Sequence, residues 1–217
     1  LKRKLNMFKN LTDNAHQNFE ARHEVRENAL KQARLLTRYA ANAIRAIHRN
    51  EHENAEENMS SAEKIVGDLY KSLKDFPEFY FSGYTQDSLK EYVEARLTID
   101  FLGNKPFPSP EELGVEYSTY LKGMTETIGE MRRRCLDILR QGYSDEAERL
   151  LDLMDEIYAI LVTMDYPDAI TYGLRRQTDL ARGIIERTRA DLTLSLREQH
   201  MQDALKEFEE RILNNEK

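Results

Sequence analysis

Apolar residues recur at steps of three and four through Val25, Ala29, Ala33, Leu36, Ala40, Ala43 and Ile47. That is the period of one face of an α-helix. No Gly or Pro occurs before Gly67, so the first third of the chain predicts one or two long amphipathic helices. Lys74-Asp-Phe-Pro77 to Gly83 interrupts the pattern and predicts a loop, closed by Phe79, Tyr80 and Phe81. Aromatic rings there can plug a helix junction or stack on bases, and plugging is the favoured reading.

Helical periodicity resumes from about Asp87 to Leu102. Gly103 to Pro110 contains three of the five prolines and predicts a turn. Ser109-Pro-Glu-Glu112 has the form of a helix start. The next helix is expected from Tyr117 to Arg140, stopped by Gly142. Ser144-Asp-Glu caps another to about Met164, and Tyr166-Pro167 breaks it. Asp168 to about Ile212 reads as helical again. Nothing alternates with period two over a useful length. The expectation is an all-α fold, an antiparallel helical bundle with a long N-terminal helix, in one domain spanning 1–217.

Composition narrows the class. No apolar run approaches the roughly 18 residues a membrane span needs, and no apolar signal core opens the chain, so no membrane association is expected. A single cysteine, Cys135, allows neither an internal disulfide nor a zinc cluster; this points to a reducing, cytoplasmic setting and to a core role for that thiol. The net charge of −7 hides an asymmetry: residues 1–50 hold eleven basic and four acidic side chains, net +7, which leaves −14 on the rest. At 100° per residue, Lys31, Arg34, Arg38, Arg45 and Arg49 share about a 60° sector opposite Leu36, Ala40, Ala43 and Ile47. They form a stripe that suits an anionic partner, although docking on a neighbour's acidic body would use the same charge. Arg175, Arg176, Arg182, Arg187 and Arg189 alternate with acids at three and four, and intrahelical ion pairs are their expected role.

The candidate chemistry lies in four carboxylates. Glu91 and Glu94 are three apart, Glu126 and Glu130 four apart, so each pair shares a helix face. Spacing alone most often marks a solvated face. Brought together, the two pairs would make a hard oxygen cage suited to Mg²⁺ or Mn²⁺.

Context favours the cage. The segments Lys74-Asp-Phe-Pro77, Glu91-Tyr-Val-Glu-Ala95, Tyr120-Leu-Lys-Gly123, Glu126-x-x-x-Glu130-x-x-Arg133, Gly142-Tyr-Ser-Asp145, Tyr166-Pro-Asp168, Gly173-Leu-Arg-Arg176 and Arg189-Ala-Asp-Leu-Thr193 resemble, in order and spacing, the translin superfamily and within it the translin-associated factor X branch. The resemblance runs from about Gly67 to Leu194; the first 60 residues are similar only in being helical and basic. It implies an RNA endonuclease whose catalytic and metal-binding acids fall on Glu91, Glu94, Glu126 and Glu130, with RNA on the basic stripe. The preferred substrate is single-stranded RNA, with single-stranded DNA also open. It further implies a closed homo-oligomer, an octameric shell, and the long first helix is expected to leave apolar surface such as Leu35, Leu36, Tyr39 and Ile47 for a partner subunit. The chain departs from the family pattern at Glu126, where the family has Asp; the extra methylene bears on metal preference and rate. A nucleic-acid-binding protein without chemistry, as in the plain translin branch, is the alternative, and a pure assembly scaffold is a third reading.

Overall fold

The computed structural model describes residues 2–215, and every regular element among them is helical. Helix α1 runs over Lys2–His48 and α2 over His52–Leu73. Between them Asn50 takes a left-handed φ of 60°, Glu51 N–H returns to the Ala46 carbonyl and Asn50 N–H to that of Ile47. This closing motif satisfies the last carbonyls of α1 and reverses the chain. The buried seam of α2 is Ala55, Met59, Ala62, Val66, Leu69 and Leu73, and that of α1 is Ala29, Leu36, Ala40, Ala43 and Ile47. Both repeat at steps of three and four, so the pair packs lengthwise, with alanines allowing close approach.

The 74–83 segment holds a short helix, α3 (Pro77–Tyr80), where the sequence predicts only loop. Phe79 and Tyr80 pack on the core and plug the junction as expected, whereas Phe81 is 56% exposed. Arg22 of α1 closes this corner, with its guanidinium 2.6 Å from Glu78 and 5.6 Å from the Phe79 ring centre.

Helix α4 (Gly83–Leu102) begins four residues before its expected start. It buries Thr85, Ser88, Leu89, Tyr92, Val93, Ala95, Leu97, Thr98, Ile99, Asp100 and Phe101. Burial on nearly all sides identifies it as the central helix, flanked by α1, α2 and α6. Arg96 neutralises the buried Asp100 at 2.6 Å and grips Glu56 of α2 at 2.7 Å. The single-turn α5 (Pro110–Leu113) shows the Ser109/Glu112 capping box. Helix α6 (Tyr117–Leu139) joins α4 to the second half of the bundle; α7 (Asp145–Leu161) starts on the Ser144 hydroxyl; α8 (Asp168–Thr171) is one turn; and α9 (Leu174–Asn215) packs on α6 and α7.

Two parts of this arrangement differ from expectation. Leu36 and Ile47, expected to seek a partner subunit, are buried inside the chain's own core, and Tyr39 packs against it. Exposed apolar side chains include instead Met7, Phe8, Leu11 and Phe19 in the first half of α1 and Met201, Leu205 and Phe208 toward the end of α9. Among the late arginines, Arg182 does pair with Glu186 within its helix, but Arg189 crosses to Asp155 of α7 at 2.6 Å. Cys135 is buried, as expected, and burial pushes its thiol up to about 11. No described helix is long and apolar enough to cross a membrane.

Candidate metal and nucleic-acid site

The site depends on how closely α4 and α6 approach. A Cβ on Gly123 would stand 2.7 Å from Val93 Cβ and 2.9 Å from the Lys90 carbonyl oxygen. Only a residue without a side chain fits there. The glycine of Tyr120-Leu-Lys-Gly123 therefore sets the crossing point, and Glu126, three residues on, comes out beside Glu91 and Glu94. One carboxylate oxygen from each of Glu91, Glu94 and Glu126 lies within 4.8 Å of the others.

Glu130 lines the same cavity of about 350 Å³ as Glu94 and Glu126, with Gln177 and Ile184 of α9 on its far wall. It stands apart from the three-acid group because its Oε2 is held by His48 Nε2 at 2.5 Å and by Arg133 at 3.4 Å. The His48 hydrogen bond keeps the Glu130 carboxyl below its usual range, against the opposing effect of burial. The His48 side chain is 3% exposed, and the residue ends α1. It was not singled out from sequence. It lies four residues before His52, a ligand-like spacing, but the Asn50 reversal puts the two on different helices, and only the packing of α1 on the bundle brings His48 to α6.

Electrostatically the four acids outnumber the lysine and arginine that touch them, Lys90 and Arg133. Burial, reinforced by Glu126, Glu91 and Glu130, pushes the Glu94 carboxyl up to about 8. Among the described residues Glu94 has no side-chain hydrogen-bond donor, while Glu126 is held by Lys90 at 2.6 Å and by Gln177 Nε2 at 3.4 Å. A group of hard oxygen donors, one of them driven toward its protonated form by its neighbours, fits a hard divalent cation. Glu91, Glu94 and Glu126 are the residues that would hold it, with Glu130 at the edge.

The basic stripe is where the sequence puts it. Lys31, Arg34, Arg38, Arg45 and Arg49 are all exposed, over a rise of roughly 27 Å at 1.5 Å per residue. Arg38 lies over the Tyr39 ring and Arg45 bonds Asn42. The stripe ends next to His48, so the helix that carries it also touches Glu130.

No protein-family model matches the chain. An uncharacterised protein of Methanocaldococcus jannaschii is 32% identical over 184 residues, covering 84% of this chain and 81% of that one. Among solved structures, AfC3PO in complex with duplex RNA superposes with a TM-score of 0.78 at 31% identity, over 84% of this chain and 95% of that chain. The crystal structure of AfC3PO gives 0.78 at 30%. The structure of apo-NeC3PO, at 23% identity and a TM-score of 0.76, shares the fold.

Proposed function

Because the chain belongs to the translin superfamily, we propose that it is a divalent-metal-dependent endoribonuclease, built as one domain over residues 1–217 and working in the cytoplasm. The observation that carries this reading is the convergence of Glu91, Glu94 and Glu126 within 4.8 Å, with Glu94 pushed up to about 8 by burial and by the neighbouring carboxylates. Mg²⁺ or Mn²⁺, when bound there, supplies Lewis acidity toward a phosphate oxygen and lowers the pKa of a coordinated water.

The chain's own residues do the rest. Glu91, Glu94 and Glu126 hold the cation. Glu130, ionised under the grip of His48 and Arg133 on Oε2, keeps Oε1 for the proton of the attacking water. Lys31, Arg34, Arg38, Arg45 and Arg49 bind the RNA backbone through its phosphates. AfC3PO was captured with duplex RNA, which supports RNA as the polyanion here; single-stranded RNA, flexible enough to enter a closed shell, is the favoured substrate. The shell is proposed as a homo-octamer with the acids facing inward.

The test is cleavage of end-labelled RNA, single-stranded and duplex, with Mg²⁺, Mn²⁺ or EDTA. Activity should require the metal and vanish in Glu94→Gln and Glu126→Gln. Cleavage that persists in EDTA would sink the mechanism. Salt-sensitive binding with no cleavage under any divalent ion would leave a non-catalytic nucleic-acid-binding protein.

A further inference from the structure

The carboxylate site already holds a cation of its own. Lys90 Nζ is 2.7 Å from Glu126 Oε1, 2.6 Å from Glu126 Oε2 and 3.2 Å from Glu91 Oε1. Its side chain is 14% exposed. A single ammonium therefore faces both oxygens of one proposed metal ligand and one oxygen of a second. Burial works against the charge on Lys90, but its contacts with Glu126 and then Glu91 win and hold the amine pKa above the ordinary lysine range.

An ammonium and a divalent cation cannot share that seat. Both would be drawn to the same oxygens, and they repel each other across a few ångströms of poorly solvated space. The lysine stem is long and flexible, with four methylenes, so the head can swing out without moving α4. The unusual acid at Glu126 belongs to the same arrangement. A glutamate on α6 reaches one bond further across to α4 than an aspartate, and here both its oxygens meet Lys90.

We propose that Lys90 is a tethered counter-ion that holds the metal-free site together and must be displaced when a divalent ion enters. This rests on the metal-site reading above. The free protein is then divided between a closed form, with Lys90 on Glu126, and a metal-competent form with Lys90 swung out. The apparent affinity for metal falls by the fraction in the competent form.

The experiment is Mn²⁺ binding to the full-length protein, by calorimetry and by the electron paramagnetic resonance of free Mn²⁺, for wild type, Lys90→Met, Lys90→Arg and Glu94→Gln. Lys90→Met keeps the stem and removes the charge. It should tighten Mn²⁺ binding by about tenfold or more, while the metal-free protein melts lower and gains more from Mn²⁺ than wild type does. Lys90→Arg, with a planar fork that grips a carboxylate through two bonds, should weaken Mn²⁺ binding. It tests the same idea with the opposite sign should Lys90→Met fail to fold. Equal or weaker binding by Lys90→Met, or unchanged binding by Lys90→Arg, overturns the proposal while leaving the metal site standing. A wild-type protein that binds no Mn²⁺, or binds it equally well as Glu94→Gln, overturns the metal site itself and this proposal with it.

Discussion

Gly123 sits so close to Val93 that a methyl group on it would fall 2.7 Å from the Val93 Cβ. The contact fixes the distance between the two helices that carry the acids. Gly123→Ala should destabilise the fold by about 1–3 kcal/mol through overpacking, or several degrees in melting temperature. It should weaken Mn²⁺ binding as well, because α4 and α6 are wedged apart. Gly67, mid-helix in α2 with nothing within 4 Å of a built Cβ, is the control: Gly67→Ala should stabilise by about 0.5–1 kcal/mol. Equal effects from the two variants in thermal melts would disprove the close-packing account.

His48 touches the acidic site from α1, the helix that carries the basic stripe. The His48 side chain is nearly inaccessible and its bond to Glu130 is part-buried, so His48→Phe, which fills the space without a donor, should cost about 1.5–3 kcal/mol of stability. It should also lower kcat far more than it raises KM. His48→Gln returns an N–H near the same place and should recover part of both. Full activity in His48→Phe would show that Glu130 needs no partner and would remove it from the proton-accepting role.

The metal-free protein should lose stability as pH rises from about 5 to above 8. Glu94 has its folded pKa pushed up to about 8, above the ordinary 4.5. Between those values the folded chain keeps a proton that the unfolded chain releases, so the penalty grows with pH through the window and levels off above it. Each unit of pH inside it is worth about 1.4 kcal/mol. Glu94→Gln should flatten the profile and raise stability at pH 8.5, and saturating Mn²⁺ should do so in wild type. Glu130 and Glu56, whose carboxyls are held below their usual range by His48 and Arg96, act at the acid end and do not blur this window. A metal-free melting temperature that is level or rising from pH 5 to 8.5 would refute the buried, uncompensated acid.

The helices were readable because their signals are local. Ser109 with Glu112, Ser144, Gly142 and the α1 seam each fix a boundary or a face within one turn of themselves. The pairing of Glu91 and Glu94 with Glu126 was readable only through the resemblance, since nothing in spacing says that two segments 30 residues apart will cross at Gly123. His48, Lys90 and the Arg189–Asp155 bridge were missed for one shared reason. Each is a contact between helices, set by the register of packing, and a lone histidine, a lysine beside a glutamate or an arginine near an acid has the same local sequence whether or not it finds a partner. The assembly argument went astray similarly: Leu36 and Ile47 have an apolar face, but only the fold shows that α2 and α4 already cover it.

RNA binding should follow the stripe. Each of Lys31, Arg34, Arg38, Arg45 and Arg49 that meets a phosphate should add somewhat under one unit to the slope of log K against log salt. All five are exposed, so the triple variant Arg34→Glu, Arg38→Glu, Arg45→Glu should fold with little change in stability. Its RNA affinity should drop by orders of magnitude and its salt slope should shrink by two to three units, roughly three contacts at just under one each. A well-folded triple variant with wild-type affinity would put the RNA on another face.

Assembly is the remaining expectation, and the structure relocates its cause. From Asn6 to Glu24 helix α1 is uncovered apart from partial shielding of Ala15, yet it shows Met7, Phe8, Leu11 and Phe19, each about two-thirds exposed. The end of α9 does the same with Met201, Leu205 and Phe208. Apolar stripes on helices that project past their own bundle are candidate interfaces, and an octamer of 25.5 kDa chains, about 204 kDa, is the proposed form. Light scattering at micromolar concentration should give that mass. Replacing Phe8 and Leu11 with Glu, or Leu205 and Phe208 with Glu, should dissociate it while the helical signal stays intact, because those positions touch none of the core. Cleavage by such a dissociated variant should lose its preference for flexible single strands, since the acids would no longer be enclosed. A wild-type monomer or dimer would rule out the shell; an octamer indifferent to all four substitutions would keep the shell but place its interfaces elsewhere.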